Sequence, residues 1–381
     1  MKMLVLGAGR MGLGAVHDLA AQRDVEEVTV ADFDGTKARE VASRVKHGRV
    51  KAVQLDVTNH AGVVDLMKGH AATLSCVVYK LNLGLARAAI EAGTNFCDLG
   101  GNNDVVDAEL ALDAQARQRG INIIPDCGLA PGMVAVLVAH AVLGFEQLNE
   151  IHIRVGGLPQ NPQPPLNYQM VFSVEGLINE YIERARVIRN GKIIEVDSMT
   201  ELELLDFPEP FGMMEAFQTS GGTSTLPDTF LGRVRDLDYK TIRFPGHCEK
   251  FKTMIALGLC SSEAVDLDGA RVAPRRLLGD LLVRNLPHDE PDVVLVRVEV
   301  SGLVNGKPRR LRYDIVDRHD PKTGLSAMMR TTAFPASIVA LMMARGQTSP
   351  KGALPQERCV PPELFMQELA KRNIKVVKSE L

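Results

Sequence analysis

The stretch Met3-Leu4-Val5-Leu6-Gly7-Ala8-Gly9-Arg10-Met11-Gly12 decides the fold of the first part of the chain. Its leading apolar run predicts a parallel strand that is covered on both faces, and the residues after Gly12 are apolar at helical spacing. Between them, Gly7 permits a tight turn, Gly9 lets the backbone approach a pyrophosphate, and Gly12 allows close packing of helix on strand. We therefore predict that this loop and the helix N-terminus hold a dinucleotide. The residues predicted to bind it are Gly7, Ala8, Gly9, Arg10, Met11 and Gly12.

An aspartate follows the second predicted strand, Val28-Thr29-Val30-Ala31, and lies 20 residues after Gly12. At this position an acidic side chain accepts hydrogen bonds from the adenosine ribose, and its charge repels a 2′-phosphate. Asp32 therefore favours NAD over NADP, although Lys37 and Arg39 are close enough in the sequence to weaken that preference. The alternative interpretation of Asp32 is a helix-capping residue in an ordinary α/β protein.

Strands and helices continue to alternate up to about residue 125, which predicts a Rossmann-type doubly wound parallel sheet. In such sheets ligands bind beyond the carboxyl ends of the strands. Asp56 and Val57 follow the third predicted strand and are expected near the adenine, and Val78 ends the fourth strand at the cofactor edge. Each polar residue at a strand end has the alternative of being a capping or turn residue. Those residues are Tyr79, Lys80, Asp98, Asp126 and Cys127.

Residues 126–330 have a different pattern, which predicts a second, α+β domain with a mixed or antiparallel sheet. Hairpin turns are predicted at Asn190-Gly191 and at Asn305-Gly306. The cluster Gly221-Gly222-Thr223-Ser224-Thr225 is not followed by a helical pattern, so it is either a substrate loop or a plain turn. Residues 331–344 are apolar at helical spacing, and we expect the segment 331–381 to pack back on the domain 1–125.

The composition excludes several classes of function. A chain of 381 residues is long enough for two or three domains, and its net charge of −3 provides no basic field for nucleic acid. Aromatic residues are only 4% of the chain, so a base-stacking surface is not expected. The apolar stretch 133–145 is interrupted by His140 and is too short to span a membrane. Six cysteines without a paired motif predict reduced cytoplasmic thiols and no metal site.

Four further motifs make the chain resemble the saccharopine dehydrogenase family of amino-acid oxidoreductases. They are Ala88-Ala89-Ile90-Glu91-Ala92-Gly93, Asp98-Leu99-Gly100-Gly101, Gly128-Leu129-Ala130-Pro131-Gly132 and Gly156-Gly157-Leu158-Pro159. The resemblance implies a nucleotide-binding domain and an α+β domain whose sheet commonly pairs subunits. A homo-oligomer that acts on a small amino-acid substrate is therefore expected.

Departures from the saccharopine reductases of this family imply a smaller and less acidic substrate. Those enzymes carry a tyrosine where Leu99 stands, an aspartate where Ala130 stands and a cysteine where Val155 stands. The remaining features, especially Arg243-Phe244-Pro245-Gly246-His247, look more like lysine 6-dehydrogenase. The implied reaction is NAD-dependent oxidation of the ε-amine of L-lysine, with loss of ammonia and cyclisation to piperideine-6-carboxylate.

Such a reaction needs a neutral amine, a cationic group for the substrate carboxylate and an anionic group for its α-ammonium. Arg243 is the predicted carboxylate ligand and Glu215 the predicted ammonium ligand, while Asp98 and His247 are the predicted bases. The predicted catalytic residues are Asp98, Lys80, Tyr79 and His247, and the predicted substrate-binding residues are Arg243, Glu215 and Asp126.

Two other functions are compatible with the same features. One is a saccharopine dehydrogenase-type enzyme, or a related one, that forms or splits an imine between an aldehyde and another amino acid or polyamine. The other is a non-catalytic NAD-binding regulatory protein, in which the glycine-rich loop persists without a catalytic edge.

Overall fold

The computed structural model describes residues 1–381 and contains two compact units. Unit 1 comprises Met1–Leu143 and Met329–Val376, and unit 2 comprises Gly144–Met328 and Val377–Leu381. Unit 1 extends beyond the predicted boundary at residue 125, because the apolar helix Met133–Ala141 packs on two later helices of the same unit. The chain terminus, predicted to lie on the first domain, joins unit 2, because Val377–Glu380 adds a strand to its sheet.

Unit 1 is built on a seven-stranded parallel sheet, which confirms the predicted Rossmann-type fold class. In spatial order, with numbering along the whole chain, the strands are β17 (Gly352–Ala353), β6 (Asn122–Ile124), β5 (Asn95–Asp98), β4 (Ala72–Ser75), β1 (Lys2–Leu6), β2 (Glu27–Asp32) and β3 (Val50–Gln54). The order reverses between β1 and β4, so the carboxyl ends of these two strands form the crevice where dinucleotides bind in such sheets.

Helices flank this sheet, and local sequence explains where they begin and end. The helices are α1 (Arg10–Ala20), α2 (Gly35–Val45), α3 (His60–Met67), α4 (Asn82–Ala92), α5 (Asn103–Leu110), α6 (Asp113–Arg119), α7 (Met133–Ala141), most of α12 (Ala327–Ala344), α13 (Gln356–Cys359) and α14 (Pro362–Lys371). The carboxylate of Asp34 caps α2 by accepting a hydrogen bond from the N–H of Thr36 at 2.8 Å. Gly93 ends α4 with a φ of +75°, in the left-handed region that favours glycine.

Unit 2 is built on a nine-stranded mixed sheet, as the second half of the sequence predicts. Seven strands form a continuous path in the order β10 (Glu203–Phe207), β11 (Gly212–Gln218), β12 (Asp236–Arg243), β7 (Gln147–Pro159), β15 (Asp292–Val304), β16 (Lys307–Arg318) and β18 (Val377–Glu380). The hairpin of β8 (Ala185–Arg189) and β9 (Lys192–Val196) joins this path at β12. Strands β7 and β12 are parallel, whereas the other pairs are antiparallel. Both predicted hairpin turns are present.

The remaining elements of unit 2 include the helices that position its polar pocket. They are α8 (Val174–Ile182), α9 (Leu226–Phe230), α10 (His247–Ala256), α11 (Pro274–Asn285) and the two-stranded sheet of β13 (Val265–Leu267) and β14 (Ala270–Val272). The short helix α9 follows the glycine cluster directly, although the sequence pattern does not predict a helix there.

One helix, α12, is long and apolar enough to cross a membrane by length and composition alone. Its mean hydropathy is 1.3, and 83% of its residues are buried inside the protein. From the sequence, only the stretch 133–145 was considered as a membrane span, so the longer helix α12 was not among the candidates. Core helices of water-soluble proteins have the same properties, so α12 is only weak evidence for a membrane span.

Candidate functional site

The glycine-rich loop of unit 1 has a backbone geometry that side chains would disrupt. Gly7 has a φ of +98°, which favours glycine. A Cβ atom on Gly12 would lie 1.9 Å from the carbonyl oxygen of Gly7, so only glycine lets α1 start this close to β1. In contrast, a Cβ on Gly9 would meet no protein atom within 4 Å. The open space over Gly9, at an α1 N-terminus without acidic residues in its first turn, fits a dinucleotide pyrophosphate.

The carboxylate of Asp32, at the end of β2, is tied to this loop. Its Oδ2 accepts a hydrogen bond from the N–H of Ala8 at 2.7 Å, and its Oδ1 accepts one from the N–H of Asp34 at 2.8 Å. Asp32 therefore holds the loop as well as standing at the position predicted for the ribose. The next residue, Phe33, is 72% exposed, and sequence reasoning did not single it out. An exposed aromatic ring beside the predicted ribose position provides a flat surface for an adenine.

The other residues predicted at the cofactor edge lie on the surface after β3 and β4. Asp56 is exposed, and its carboxylate accepts hydrogen bonds from Thr58, which lower its pKa. Val57 is half-buried, whereas Val78 is 65% exposed. Each lies three residues beyond the end of its strand, so Val78 follows β4 and does not end it as predicted, because β4 already stops at Ser75.

Tyr79 and Lys80 start a short 3-10 helix rather than ending a strand. A Cβ on Gly101 would lie 3.0 Å from Cδ1 of Tyr79, so the ring rests against a glycine with a φ of +131°. The ammonium of Lys80 lies 6.0 Å from the centre of the same ring. Tyr79 is half-buried and Lys80 exposed, so both can be reached by a ligand.

Asp98, Glu109 and Asp126 form a buried carboxyl cluster behind the ends of β5 and β6. Oδ1 of Asp98 accepts hydrogen bonds from the N–H groups of Gly100 at 2.6 Å and of Asp126 at 3.3 Å. Burial raises the pKa of Asp98 and, more strongly, that of Glu109, where the charge of Asp98 adds to the effect. Glu109 is therefore the protonated partner in this pair. Since Asp98 and Asp126 are buried, the structure favours a role in shaping these turns over contact with substrate.

The polar pocket of unit 2 is centred on Arg243, the last residue of β12, which is 2% exposed. Its Nε donates to the hydroxyl of Tyr181 at 2.8 Å, and its Nη1 donates to the carbonyl of Ile242 at 2.9 Å. Its Nη2 makes no hydrogen bond within the protein. The guanidinium carbon lies 4.8 Å from the ring centre of Tyr168, whose buried hydroxyl also lacks a hydrogen-bond partner. A buried cation thus keeps both N–H groups of its Nη2 available, beside a hydroxyl that donates no hydrogen bond.

His247, the first residue of α10, is fixed in the same pocket. Its Nδ1 faces the carbonyl oxygen of Leu166 at 3.0 Å and must donate to it, so Nε2 accepts from the hydroxyl of Tyr181 at 3.0 Å. Burial, followed by the charge of Arg243, lowers the pKa of His247 to about 3. The ring is therefore neutral and has no free lone pair for a substrate proton. The structure favours a positioning role over the predicted role as a base.

The carboxylate of Glu215, predicted to bind the substrate ammonium, is bound by backbone N–H groups of the protein. Glu215 faces Arg243 across the antiparallel pair β11–β12. However, its Oε1 accepts from the N–H of Gly246 at 2.6 Å, and its Oε2 accepts from the N–H of Cys248 at 3.2 Å. Both carboxylate oxygens thus cap the N-terminus of α10. Glu180, which the sequence analysis missed, is the acidic side chain whose carboxylate is left without a hydrogen bond near Arg243.

Alternate residues of β12 line the pocket because side chains alternate between the two faces of a strand. Tyr239 and Thr241 share the face of Arg243 and are buried. The hydroxyls of Thr219 and Thr241 are 2.7 Å apart, and a Cβ on Gly222 would lie 2.4 Å from the Tyr239 ring. The glycine cluster 221–225 therefore packs close to the pocket, which favours its interpretation as a substrate loop.

No group of three or more His, Cys, Asp or Glu side chains in the chain is arranged to hold a metal ion. The structure thus contains two candidate sites, each described within its own unit. One is a loop that fits a dinucleotide, and the other is a buried polar pocket with an unsatisfied arginine.

Two family models match almost the whole chain. The model described as Saccharopine dehydrogenase NADP binding domain matches residues 3–124, and the model described as Saccharopine dehydrogenase C-terminal domain matches residues 128–374. The first match indicates that the cofactor is a nicotinamide dinucleotide, without distinguishing NAD from NADP.

Relatives of known function are distant. Carboxyaminopropylagmatine dehydrogenase of Synechocystis sp. is 22% identical over 98% of this chain and 96% of its own length. Carboxynorspermidine synthase of Vibrio cholerae is 22% identical over 95% of this chain and 93% of its own length. Saccharopine dehydrogenase [NADP(+), L-glutamate-forming] of Schizosaccharomyces pombe is 24% identical, but the match spans only 46% of that enzyme.

A solved structure shows the same fold. Apo saccharopine dehydrogenase (L-Glu forming) from Saccharomyces cerevisiae superposes with a TM-score of 0.83 at 19% identity, and the match covers 100% of this chain and 99% of that one.

Proposed function

The chain belongs to the saccharopine dehydrogenase family, and from this premise we propose that it is a nicotinamide-dependent dehydrogenase. Its substrate is an amine that carries an amino-acid carboxylate, and the reaction interconverts a carbon–nitrogen single bond and an imine. The unsatisfied, buried Arg243 is the observation that carries the proposal. A buried guanidinium without a bonded carboxylate is costly unless a ligand supplies the anion.

Arg243 has the geometry for this task. Its planar guanidinium is held by Tyr181 and by the backbone, so its orientation is fixed before substrate binds. Fixed donors bind a carboxylate at a lower entropic cost than mobile ones. The hydroxyl of Tyr168 lies beside the guanidinium and can donate a second hydrogen bond to the same ligand.

For the substrate we propose L-lysine. The cofactor would supply the acceptor for a hydride from the carbon that bears the ε-amine. Loss of the hydride and of one amine proton gives an imine. The α-ammonium then gives up a proton, and the resulting α-amine attacks the imine carbon, expels ammonia and closes the ring of piperideine-6-carboxylate. The residues of unit 2 bind and orient the amino-acid end of the substrate, and Tyr79 and Lys80 remain predicted catalytic residues.

The proposed cofactor is NAD, because the Asp32 carboxylate stands at the end of β2, where it would repel a 2′-phosphate. The relatives from yeasts are named as NADP enzymes, so both cofactors belong in the test.

A second candidate function is the formation of a secondary amine from an aldehyde and an amine. The observation that favours it is the length of two matches, since carboxyaminopropylagmatine dehydrogenase and carboxynorspermidine synthase match this chain almost end to end. In this reaction the amine and aldehyde lose water to form an imine, which a hydride from the reduced cofactor then reduces. A single carboxylate on the product would again bind Arg243.

The two candidate functions predict different substrates. Purified protein is incubated with L-lysine and NAD or NADP, and the absorbance of the reduced cofactor is followed. In parallel, agmatine or a diamine is combined with an aldehyde that carries an amino-acid group and with reduced cofactor, and products are identified by mass spectrometry. We expect turnover of L-lysine with NAD. Turnover of an amine–aldehyde pair alone would replace the first candidate by the second, and turnover of neither would contradict both.

A further inference from the structure

Glu180 lies in the last turn of α8, directly before the tyrosine that holds Arg243. Its backbone carbonyl accepts a hydrogen bond from the N–H of Ser220 at 3.0 Å, which ties this turn to the segment leading into the glycine cluster. Its side chain is half-buried, and its carboxylate makes no hydrogen bond or ion pair within the protein. The carboxylate interacts electrostatically with Arg243 and with Tyr239.

The surroundings of Glu180 do not compensate for its charge. Burial raises the pKa of Glu180 to about 7, although the charge of Arg243 acts in the opposite direction. A carboxylate in such a place normally accepts hydrogen bonds from the protein, as Glu215 does at the start of α10. Glu180 instead interacts electrostatically with Arg243, whose Nη2 makes no hydrogen bond, and with Tyr168, whose buried hydroxyl donates none. One anion and one cation are therefore both available to a ligand.

We propose that Glu180 binds the α-ammonium of the substrate while Arg243 binds its carboxylate, so that the pocket recognises the amino-acid zwitterion itself. This inference rests on the proposed function, because it takes the ligand of Arg243 to be an amino-acid carboxylate. It adds the reason why a plain carboxylic acid is a poorer ligand: without an ammonium, the half-buried carboxylate of Glu180 stays unpaired.

A purely structural role for Glu180, as a distant counter-ion of Arg243, makes a different prediction. In that case, removal of the Glu180 charge would alter the binding of every carboxylate ligand alike. The proposed role affects only ligands that carry an α-ammonium. Two compounds separate these roles: L-lysine, and 6-aminohexanoate, which keeps the carboxylate and the terminal amine but lacks the α-ammonium.

The experiment measures the affinity of both compounds for the full-length protein with bound cofactor by isothermal titration calorimetry. E180Q is compared with the wild type and with E183Q, which removes the same charge from an exposed position three residues later. We expect E180Q to weaken L-lysine binding by about 10- to 100-fold, as loss of a charged hydrogen bond does, and to leave 6-aminohexanoate within about twofold. E183Q should change neither.

A second variant, E180D, guards against misfolding, since it keeps the charge on a shorter side chain and should weaken L-lysine less than E180Q does. Equal losses for both compounds, or wild-type protein that binds L-lysine no more tightly than 6-aminohexanoate, would overturn the assignment. Absence of binding of both compounds would overturn it as well. If the expected binding pattern is found but L-lysine is not oxidised, the zwitterion site stands and the proposed reaction fails.

Discussion

The hydroxyl of Tyr181 accepts a hydrogen bond from Nε of Arg243 at 2.8 Å. The same hydroxyl gives its proton to Nε2 of His247, whose Nδ1–H is in turn donated to the carbonyl of Leu166. Each hydrogen bond in this series thus has a defined direction, and the guanidinium is held at one end of the series. A fixed guanidinium with a free Nη2 is what a substrate carboxylate needs.

The first prediction concerns Arg243. The variant R243K keeps the positive charge but loses the planar donor group and the hydrogen bond to Tyr181. We expect kcat/KM for L-lysine to fall by about 100-fold, in line with the loss of more than one charged hydrogen bond. Activity with cadaverine should stay within about threefold, because cadaverine has no carboxylate to bind the guanidinium of Arg243.

Steady-state kinetics with both amines measure this difference. The control is R184K, at an arginine whose side chain is 56% exposed and binds only groups of the exposed residues Glu195 and Asp197. Equal losses for L-lysine and cadaverine in R243K would show that Arg243 supports the fold of the pocket rather than the substrate carboxylate.

A second prediction concerns the proton on His247. Because its pKa is lowered to about 3, the ring should stay neutral from pH 5 to pH 8, with the proton on Nδ1. Nitrogen chemical shifts of the ring, assigned by comparison with H247Q, measure both the tautomer and the titration. A ring that titrates near pH 6.5 would restore His247 as a candidate base.

The pattern of this sequence predicted the dinucleotide loop residue by residue, because the constraints there are local. Gly7 needs its positive φ, and Gly12 has no room for a Cβ, so the spacing of the glycines is dictated by the backbone alone. The alternation of apolar runs predicted the parallel sheet for the same reason. These features need no knowledge of which distant residues meet.

The polar pocket could be predicted only in part, since it depends on contacts between distant segments. Arg243 and Glu215 were predicted as substrate ligands from their residue types and positions, and the structure pairs the two residues across β11 and β12. The sequence could not show that the N-terminus of α10 takes up both oxygens of Glu215. It also could not show that Glu180 lacks such partners. One available signal was an acidic residue directly before Tyr181 on the partly apolar helix α8.

Asp98 shows what a position at the end of a strand leaves undetermined. Its position at the end of β5 suggested access to a ligand, but the chain turns at Gly100 and donates a backbone N–H to the carboxylate, which is thereby turned inward. Whether a strand-end side chain faces the crevice or the protein depends on the turn that follows. The sequence showed the glycines of this turn but not the direction in which they lead the chain.

The third prediction separates two glycines of the loop. G9A should fold normally, because a Cβ there meets no protein atom within 4 Å and the φ of −78° suits alanine. Its methyl group would occupy space proposed for the pyrophosphate, so affinity for NADH should fall by at least about tenfold. G12A should instead lower the free energy of unfolding by about 2–4 kcal/mol, since its Cβ would collide with the Gly7 carbonyl.

Fluorescence titration with NADH and chemical denaturation measure these two effects separately. G48A is the control, since it also adds a methyl group where no protein atom lies within 4 Å but is outside the loop. A G9A variant with wild-type NADH affinity would contradict the proposed position of the pyrophosphate.

A fourth prediction concerns cofactor preference. D32S should weaken the binding of both dinucleotides, because the N–H of Ala8 loses its acceptor. In addition, the ratio of NAD to NADP affinity should fall by about tenfold or more, because the charge that repels a 2′-phosphate is gone. The control D34N removes a charge two residues later but keeps an oxygen to cap α2. If D32S leaves this affinity ratio unchanged, Asp32 only holds the loop and does not discriminate between NAD and NADP at the ribose 2′ position.

The last prediction follows from the pKa of Glu180, which is raised from 4.5 to about 7 by burial. Between these pH values the folded protein keeps a proton that the unfolded chain releases, so the contribution of Glu180 to stability is lost as pH rises through this range. The other charged or titratable groups that face this carboxylate are Arg243, Tyr168, Tyr181 and Tyr239, all with raised pKa values. None of them titrates between pH 4.5 and 7, so the difference between the wild type and E180Q over this range belongs to Glu180.

Glutamine cannot ionise, so E180Q should be more stable than the wild type at pH 8, by about 1–3 kcal/mol, and equally stable near pH 4. Substrate binding should change in the opposite direction: wild-type affinity for L-lysine should decrease as the pH falls below about 7, and E180Q should lose this dependence. Urea denaturation and calorimetric titration at several pH values measure the two quantities. A carboxylate that binds a ligand should destabilise the folded protein while the ligand is absent. An E180Q variant that is less stable than the wild type at pH 8 would therefore show that Glu180 stabilises the fold.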